Sequence, residues 1–126
     1  MQNPAPSRGL ILFAHGSRDP QWRAPMEAVA VRAAALEAAA VVRCAYLELM
    51  APDLPACAAE MVAQGLQAIT IVPMFLGVGR HAREDLPLLV AELRRLHPQV
   101  HFELRPAIGE DERVVDMLAR IALAEH

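Results

Sequence analysis

Lysine is absent from this chain: all 12 basic residues are arginines, and 15 acidic residues bring the formal charge to −3. That balance gives no general attraction to nucleic acid or to an anionic membrane. An anionic ligand would have to be held by local arginines, which grip carboxylates in bidentate fashion. Aromatic residues are scarce as well, with three Phe, one Tyr and one Trp, which suits close helix–sheet packing better than an aromatic recognition surface. Cys44 and Cys57 stand in apolar segments and form no Cys-x-x-Cys pair. A disulfide scaffold is therefore not expected, and a reducing cytoplasm is the simplest setting. No apolar stretch approaches membrane-spanning length, and Met1 to Arg8 lacks the basic start and apolar run of an export signal. Without a G-x-G-x-x-G motif or a P-loop, a flavodoxin-like nucleotide- or phosphate-binding module is disfavoured. Without a G-x-S-x-G elbow, and with Ser17 too close to His15 to use it as a separate base, so is a serine hydrolase.

What remains is a chain of 126 residues, 55% hydrophobic, suited to one domain with one core. We expect a short flexible N-terminus over residues 1–8 and a single domain over 9–126. Gly9 to His15 and Ala68 to Phe75 are continuous apolar runs, the pattern of strands buried on both faces of a parallel sheet. Val41 to Leu49 reads as a further strand. Val100 to Arg105 alternates apolar and polar residues, as an edge strand does. Between the strands, helical spacing recurs. Asp19-Pro20 precedes Trp22, Met26, Val29, Ala33 and Leu36; Asp53-Leu54-Pro55 opens a second helix ending near Gly65. Asp85-Leu86-Pro87 repeats the cap-and-proline start for a third helix with an apolar stripe at Leu86, Leu89, Val90, Leu93 and Leu96, and a fourth runs from about Glu110 to Ala124. Four strands alternating with four helices predict an α/β fold of three layers, flavodoxin-like, with a mostly parallel sheet covered on both faces.

Ligands of such sheets bind beyond the carboxyl ends of the strands. His15 ends the first strand, Glu48 ends the second, and His81 lies in the Gly77/Gly79 loop after the third. Two imidazoles and a carboxylate at one sheet end suit a divalent first-row metal with open coordination positions. His97, His101 and His126 read as surface residues, and Asp53 and Asp85 as helix caps.

Two segments carry a more specific signal. His15-Gly-Ser-Arg18 and Pro73-Met-Phe-Leu-Gly-Val-Gly-Arg-His81-Ala-Arg-Glu-Asp85-Leu-Pro87, together with Tyr46-Leu-Glu48, resemble the signatures of the small CbiX/SirB-type sirohydrochlorin chelatases over nearly the whole chain, from about Gly9 to Leu118. The resemblance implies a chelatase-like fold with a parallel four-stranded sheet, like one half of the two-lobed class II chelatases, and a homodimer that restores the two-lobed cleft. It implies a lyase that inserts a divalent metal into sirohydrochlorin, with His15, Glu48 and His81 handling the ion and no organic cofactor. The His-rich tract of some relatives is missing here, which argues against metal storage.

Histidine suits insertion because its neutral form, with an ordinary pKa of about 6.5, both binds metal and accepts a proton. His15 and His81 are thus the expected catalytic pair, with Glu48 as a third ligand or an orienting partner. The substrate's carboxylates call for Ser17, Arg18, Arg80 and Arg83 at the rim, with Gly77 and Gly79 allowing close approach to the ring. Co2+ is the first choice of metal, for cobalamin synthesis. Fe2+ for siroheme or Ni2+ for a nickel tetrapyrrole would use the same ligand types. The alternative from another class is a carrier that binds metal or tetrapyrrole without turnover.

Overall fold

The computed structural model describes residues 8–124. The expected N-terminal segment up to residue 7 and His126 lie outside the described residues. Arg8 already belongs to the first strand, paired with Ala40.

Four parallel strands, β1 (Arg8–Ala14), β2 (Ala40–Tyr46), β3 (Ala68–Pro73) and β4 (His101–Leu104), form one sheet in the order β2-β1-β3-β4. The apolar runs of β1 and β3 are central, as their composition predicts. β4 is an edge, as its alternation predicts, but β2 is an edge too. Its apolar composition reflects the helix α1 (Ala24–Leu36) and the 3-10 turn Pro20–Arg23 before it, packed beside the strand: the Cys44 thiol reaches the Met26 carbonyl at 3.7 Å, and Trp22 of the turn meets Tyr46 edge-on at 6.2 Å.

One sheet face carries the core. Ile11, Phe13, Ala45, Ile69, Ile71 and Phe102 pack against Leu54, Cys57 and Met61 of α2 (Leu54–Ala63) and against Leu86, Val90 and Leu93 of α3 (Arg80–Leu96). Asp53 caps α2 as expected, accepting from the Ala56 N–H at 2.9 Å. Burial pushes the Cys57 thiol up to about 11, so it stays protonated and inert at neutral pH. The opposite face is covered more thinly. No residue of α1 is buried, and the expected stripe leaves Leu36 82% exposed. The last helix, α4 (Glu112–Leu123), also buries nothing and touches chiefly the 3-10 turn Ile108–Glu110 before it.

Helix α3 departs from the expectation in a way that moves the site. It begins at Arg80, capped by Gly79, and Pro87 lies inside it. Asp85 is therefore not a cap. Proline at a helix interior costs about 3 kcal/mol, but the helix continues through it because Leu86, Val90 and Leu93 are each almost fully buried. Burial of about 1.5–3 kcal/mol per side chain outweighs that cost. Of the histidines expected at the surface, His101 is exposed, while His97 is half-buried against Phe102 with ring centroids 6.1 Å apart.

Candidate metal and tetrapyrrole site

Beyond the carboxyl ends of β1 and β3 lies a cavity of about 220 Å³ lined by His15 and His81. His15 is the first residue after β1, and His81 is the second residue of α3. It is thus on a helix rather than in the loop that the sequence suggests. The rest of the lining is largely apolar: Phe13, Leu47, Phe75, Leu86 and Leu89, with Arg80 and Asp85 at the polar side. Both imidazoles are exposed, so they meet solvent and any bound ion from the apolar floor upward.

Asp85 enters this cavity for the same reason that it is not a cap. On a continuous α3 it stands four residues after His81, on the same helical face. Phe75 is the other residue that sequence reasoning missed. It follows β3, is 5% exposed, and stacks on the His15 imidazole with centroids 4.4 Å apart and planes 30° from parallel. An aromatic residue in an apolar run reads only as core, and nothing in the one-dimensional pattern reveals a stacked neighbour 60 residues away.

Glu48 sits beside this cavity rather than in its wall. Strand β2 ends at Tyr46, short of the expected Leu49, and Glu48 lies exposed in the loop that follows. Among the described residues no three His, Cys, Asp or Glu side chains gather into a metal cluster. The backbone of Glu48 is nonetheless tied to the site: its N–H donates to the His15 carbonyl at 3.0 Å, while the Leu47 N–H donates to Ala14 at 2.8 Å. Gly16 makes this possible. Its φ is +98°, and a Cβ there would strike the Glu48 carbonyl. Gly16→Ala is expected to lower stability by about 2 kcal/mol or more and to part the two loops. Urea unfolding checks this, and a stability within experimental error of the parent would remove Gly16 from that role.

The rim residues divide. The Ser17 hydroxyl accepts from the Asp19 N–H at 3.1 Å, which fixes the turn after His15 and leaves its own O–H to donate elsewhere. Arg80 spans one helical turn to Glu84 at 3.4 Å, an exposed pair of little energetic weight. Among the described residues Arg18 and Arg83 make no ion pair. Arg83 lines a smaller adjoining cleft with Arg105. A Cβ at Gly77 or Gly79 would meet no atom of the chain, so the space above that loop is open.

Comparison with known proteins bears on this arrangement. The CbiX family profile matches residues 9–123. A sirohydrochlorin cobaltochelatase of Saccharolobus solfataricus is 25% identical over 120 residues, covering 89% of this chain and 91% of the relative. The crystal structure of a CbiX protein from Marinobacter aquaeolei VT8 superposes with a TM-score of 0.79 at 32% identity, covering 91% of this chain and 93% of that one. The sirohydrochlorin chelatase SirB from Bacillus subtilis subspecies spizizenii, solved with cobalt, gives a TM-score of 0.77 at 27% identity, covering 92% of this chain but 50% of its own. The chain belongs to the CbiX family of sirohydrochlorin chelatases.

Proposed function

We propose that this chain inserts a divalent ion, Co2+ before Fe2+ or Ni2+, into sirohydrochlorin, with His15 and His81 as the residues that carry the reaction. The observation behind this is that the two imidazoles share one cavity whose wall is otherwise largely apolar, with Arg80 and Asp85 on its polar side. Insertion converts M2+ and the free-base ring into the metal complex and two protons. Two neutral imidazoles leave most of the ion's coordination positions for water and then for pyrrole nitrogens, so protein–metal bonds can be exchanged one at a time. As each of the two protonated ring nitrogens binds, its proton needs an acceptor, which an imidazole leaving the metal becomes. Glu48 serves as a further exchangeable ligand, carried on the loop bonded to His15. Asp85, one helical turn from His81, is a second proton acceptor or an orienting partner for that imidazole.

The apolar surface suits the face of the macrocycle. Leu47, which lines the cavity with both imidazoles, is 42% exposed, and a flat ring laid over it would remove that area from water. The ring's carboxylates then fall to Arg18, Arg80 and Arg83, with Ser17 and the Gly79 backbone as neutral contacts. A cytoplasmic location fits the two free thiols. No helix among the described residues is long and apolar enough to cross a membrane.

This site forms only one wall of a cleft. A homodimer would supply the other, as the second half of the longer SirB chain does in our reading. The exposed apolar side of α4, with Val115, Leu118 and Ile121 at 55%, 44% and 59% exposure, is the surface we assign to that contact. The test is an anaerobic absorbance assay with sirohydrochlorin and Co2+, Fe2+ or Ni2+ in separate reactions. Insertion faster than the uncatalysed rate, with Co2+ preferred, is expected. Stoichiometric binding without acceleration would replace the enzyme with a carrier.

A further inference from the structure

Given the proposed role of His15 in presenting the metal, we propose that Phe75 is the positioning residue that fixes the His15 imidazole for this task. His15 has little else to hold it. It is exposed, it stands just past the end of β1, and its side chain makes no hydrogen bond among the described residues. An exposed imidazole without a partner turns freely about its side-chain bonds. A metal ligand cannot do so without losing affinity, which is why ligating histidines are generally oriented by a second group bonded to the other ring nitrogen.

Here the orienting contact is a ring face. Phe75 lies 4.4 Å from the imidazole centroid at 30°, a separation at which aromatic pairs attract by about 0.5–1.5 kcal/mol. A stack covers one face of the imidazole and leaves its edge, where both nitrogens lie, unobstructed. The ring is therefore held without using up either nitrogen, so one can bind metal while the other remains able to exchange a proton.

Phe75 can act as a reference surface because it is itself fixed from several sides. It is buried, meets Phe13 edge-on at 6.2 Å, and accepts from the Gly109 N–H through its own carbonyl at 2.9 Å. The preceding residue is anchored by the Met74 N–H donating to Phe13 at 2.7 Å. Gly109 is required for this closeness, since a Cβ there would run into the Leu76 backbone. The rigidity of β1 and β3 is in this way passed to a side chain beyond the end of the sheet.

The experiment pairs Phe75→Leu, which keeps an apolar side chain without a ring, with Phe75→Tyr, which keeps the ring. In the parent, NMR of the His15 ring protons is expected to show an upfield ring-current shift absent from His81. Phe75→Leu should abolish that shift, weaken Co2+ binding measured without tetrapyrrole by about 2–10-fold, as loss of a stack of this strength allows, and lower kcat more than it raises KM. Phe75→Tyr should recover both the shift and most of the affinity. A normal His15 shift in the parent, or a folded Phe75→Leu protein with parental Co2+ affinity, overturns the proposal. His15→Ala run alongside separates the two levels: if it leaves insertion intact, the role of His15 is wrong, whereas loss of insertion in His15→Ala with no effect of Phe75→Leu sinks only the positioning role.

Discussion

His15→Ala and His81→Ala are each expected to bring metal insertion down by at least about 10²–10⁴-fold, the range for removing a positioned acid–base group, and further if the ion is no longer held. Stability should change little. Both side chains are exposed, and substitutions at exposed positions usually stay within about 0.5 kcal/mol. That separation makes the experiment informative. His15 leads out of a buried strand and His81 starts the helix that carries Leu86, Val90 and Leu93 into the core, yet neither imidazole is itself buried, and only His15 touches the core, through a stack on Phe75 worth about 0.5–1.5 kcal/mol. The double variant should be scarcely slower than either single one, because two ligands of one ion act as a unit and their losses do not add. The initial rate of spectral change under anaerobic conditions, with unfolding curves of the same preparations, checks all three proteins. Parental rates in both single variants would remove the pair from the reaction. A loss confined to one would assign that residue alone to the ion and leave the other as part of the wall.

Much of this site was legible in the sequence because parallel sheets gather the residues that follow their strands. The apolar runs of β1 and β3 are unbroken, so their ends could be placed within about two residues, and the histidines beyond them fall at the carboxyl end of the sheet. What was not legible depends on tertiary packing. Pro87 is an ordinary reason to begin a helix, and only the buried face of Leu86, Val90 and Leu93 explains why α3 runs through it from Arg80. That shift of one and a half turns moves His81 from a loop to a helix and turns Asp85 from a cap into a lining residue. Glu48 was misplaced by a smaller effect: the apolar Leu47 and Leu49 extend the strand pattern past Tyr46, but Leu49 has a φ of +68° and the chain has already turned. The stripe of α1 illustrates the converse limit. Periodicity shows that a helix has an apolar side but does not say whether the rest of the chain covers it.

For α4 that question has a measurable answer. Along Glu112–Leu123, Val114, Val115, Met117, Leu118 and Ile121 share one side, while Asp116 and Arg120 pair at 2.8 Å on the other. Leu123 apart, which falls on the Asp116 side, such a division has no use in a helix bathed in water on all sides. If Val115, Leu118 and Ile121 were covered by a second copy, each side chain would contribute about 1.5–3 kcal/mol at full burial. Because about half of each side chain is already covered, a two-fold contact of six gives roughly 5–9 kcal/mol, against an association cost of about 4–15 kcal/mol. Pairing through this helix therefore lies within reach. Placing a carboxylate at its centre should reverse the balance, because an unpaired charge in an apolar contact loses its hydration without compensation. The parent is accordingly expected to sediment as a dimer at micromolar concentration, and Leu118→Glu/Ile121→Glu as a folded monomer with an unchanged far-UV spectrum. If the second copy completes the cleft, insertion should fall at least about tenfold in that monomer, mainly through a raised KM, since a ring resting on a single wall loses binding area. A monomeric parent would exclude α4 as a dimer surface. A monomeric variant inserting metal at the parental rate would mean that His15, His81 and the apolar floor beneath them suffice within one copy.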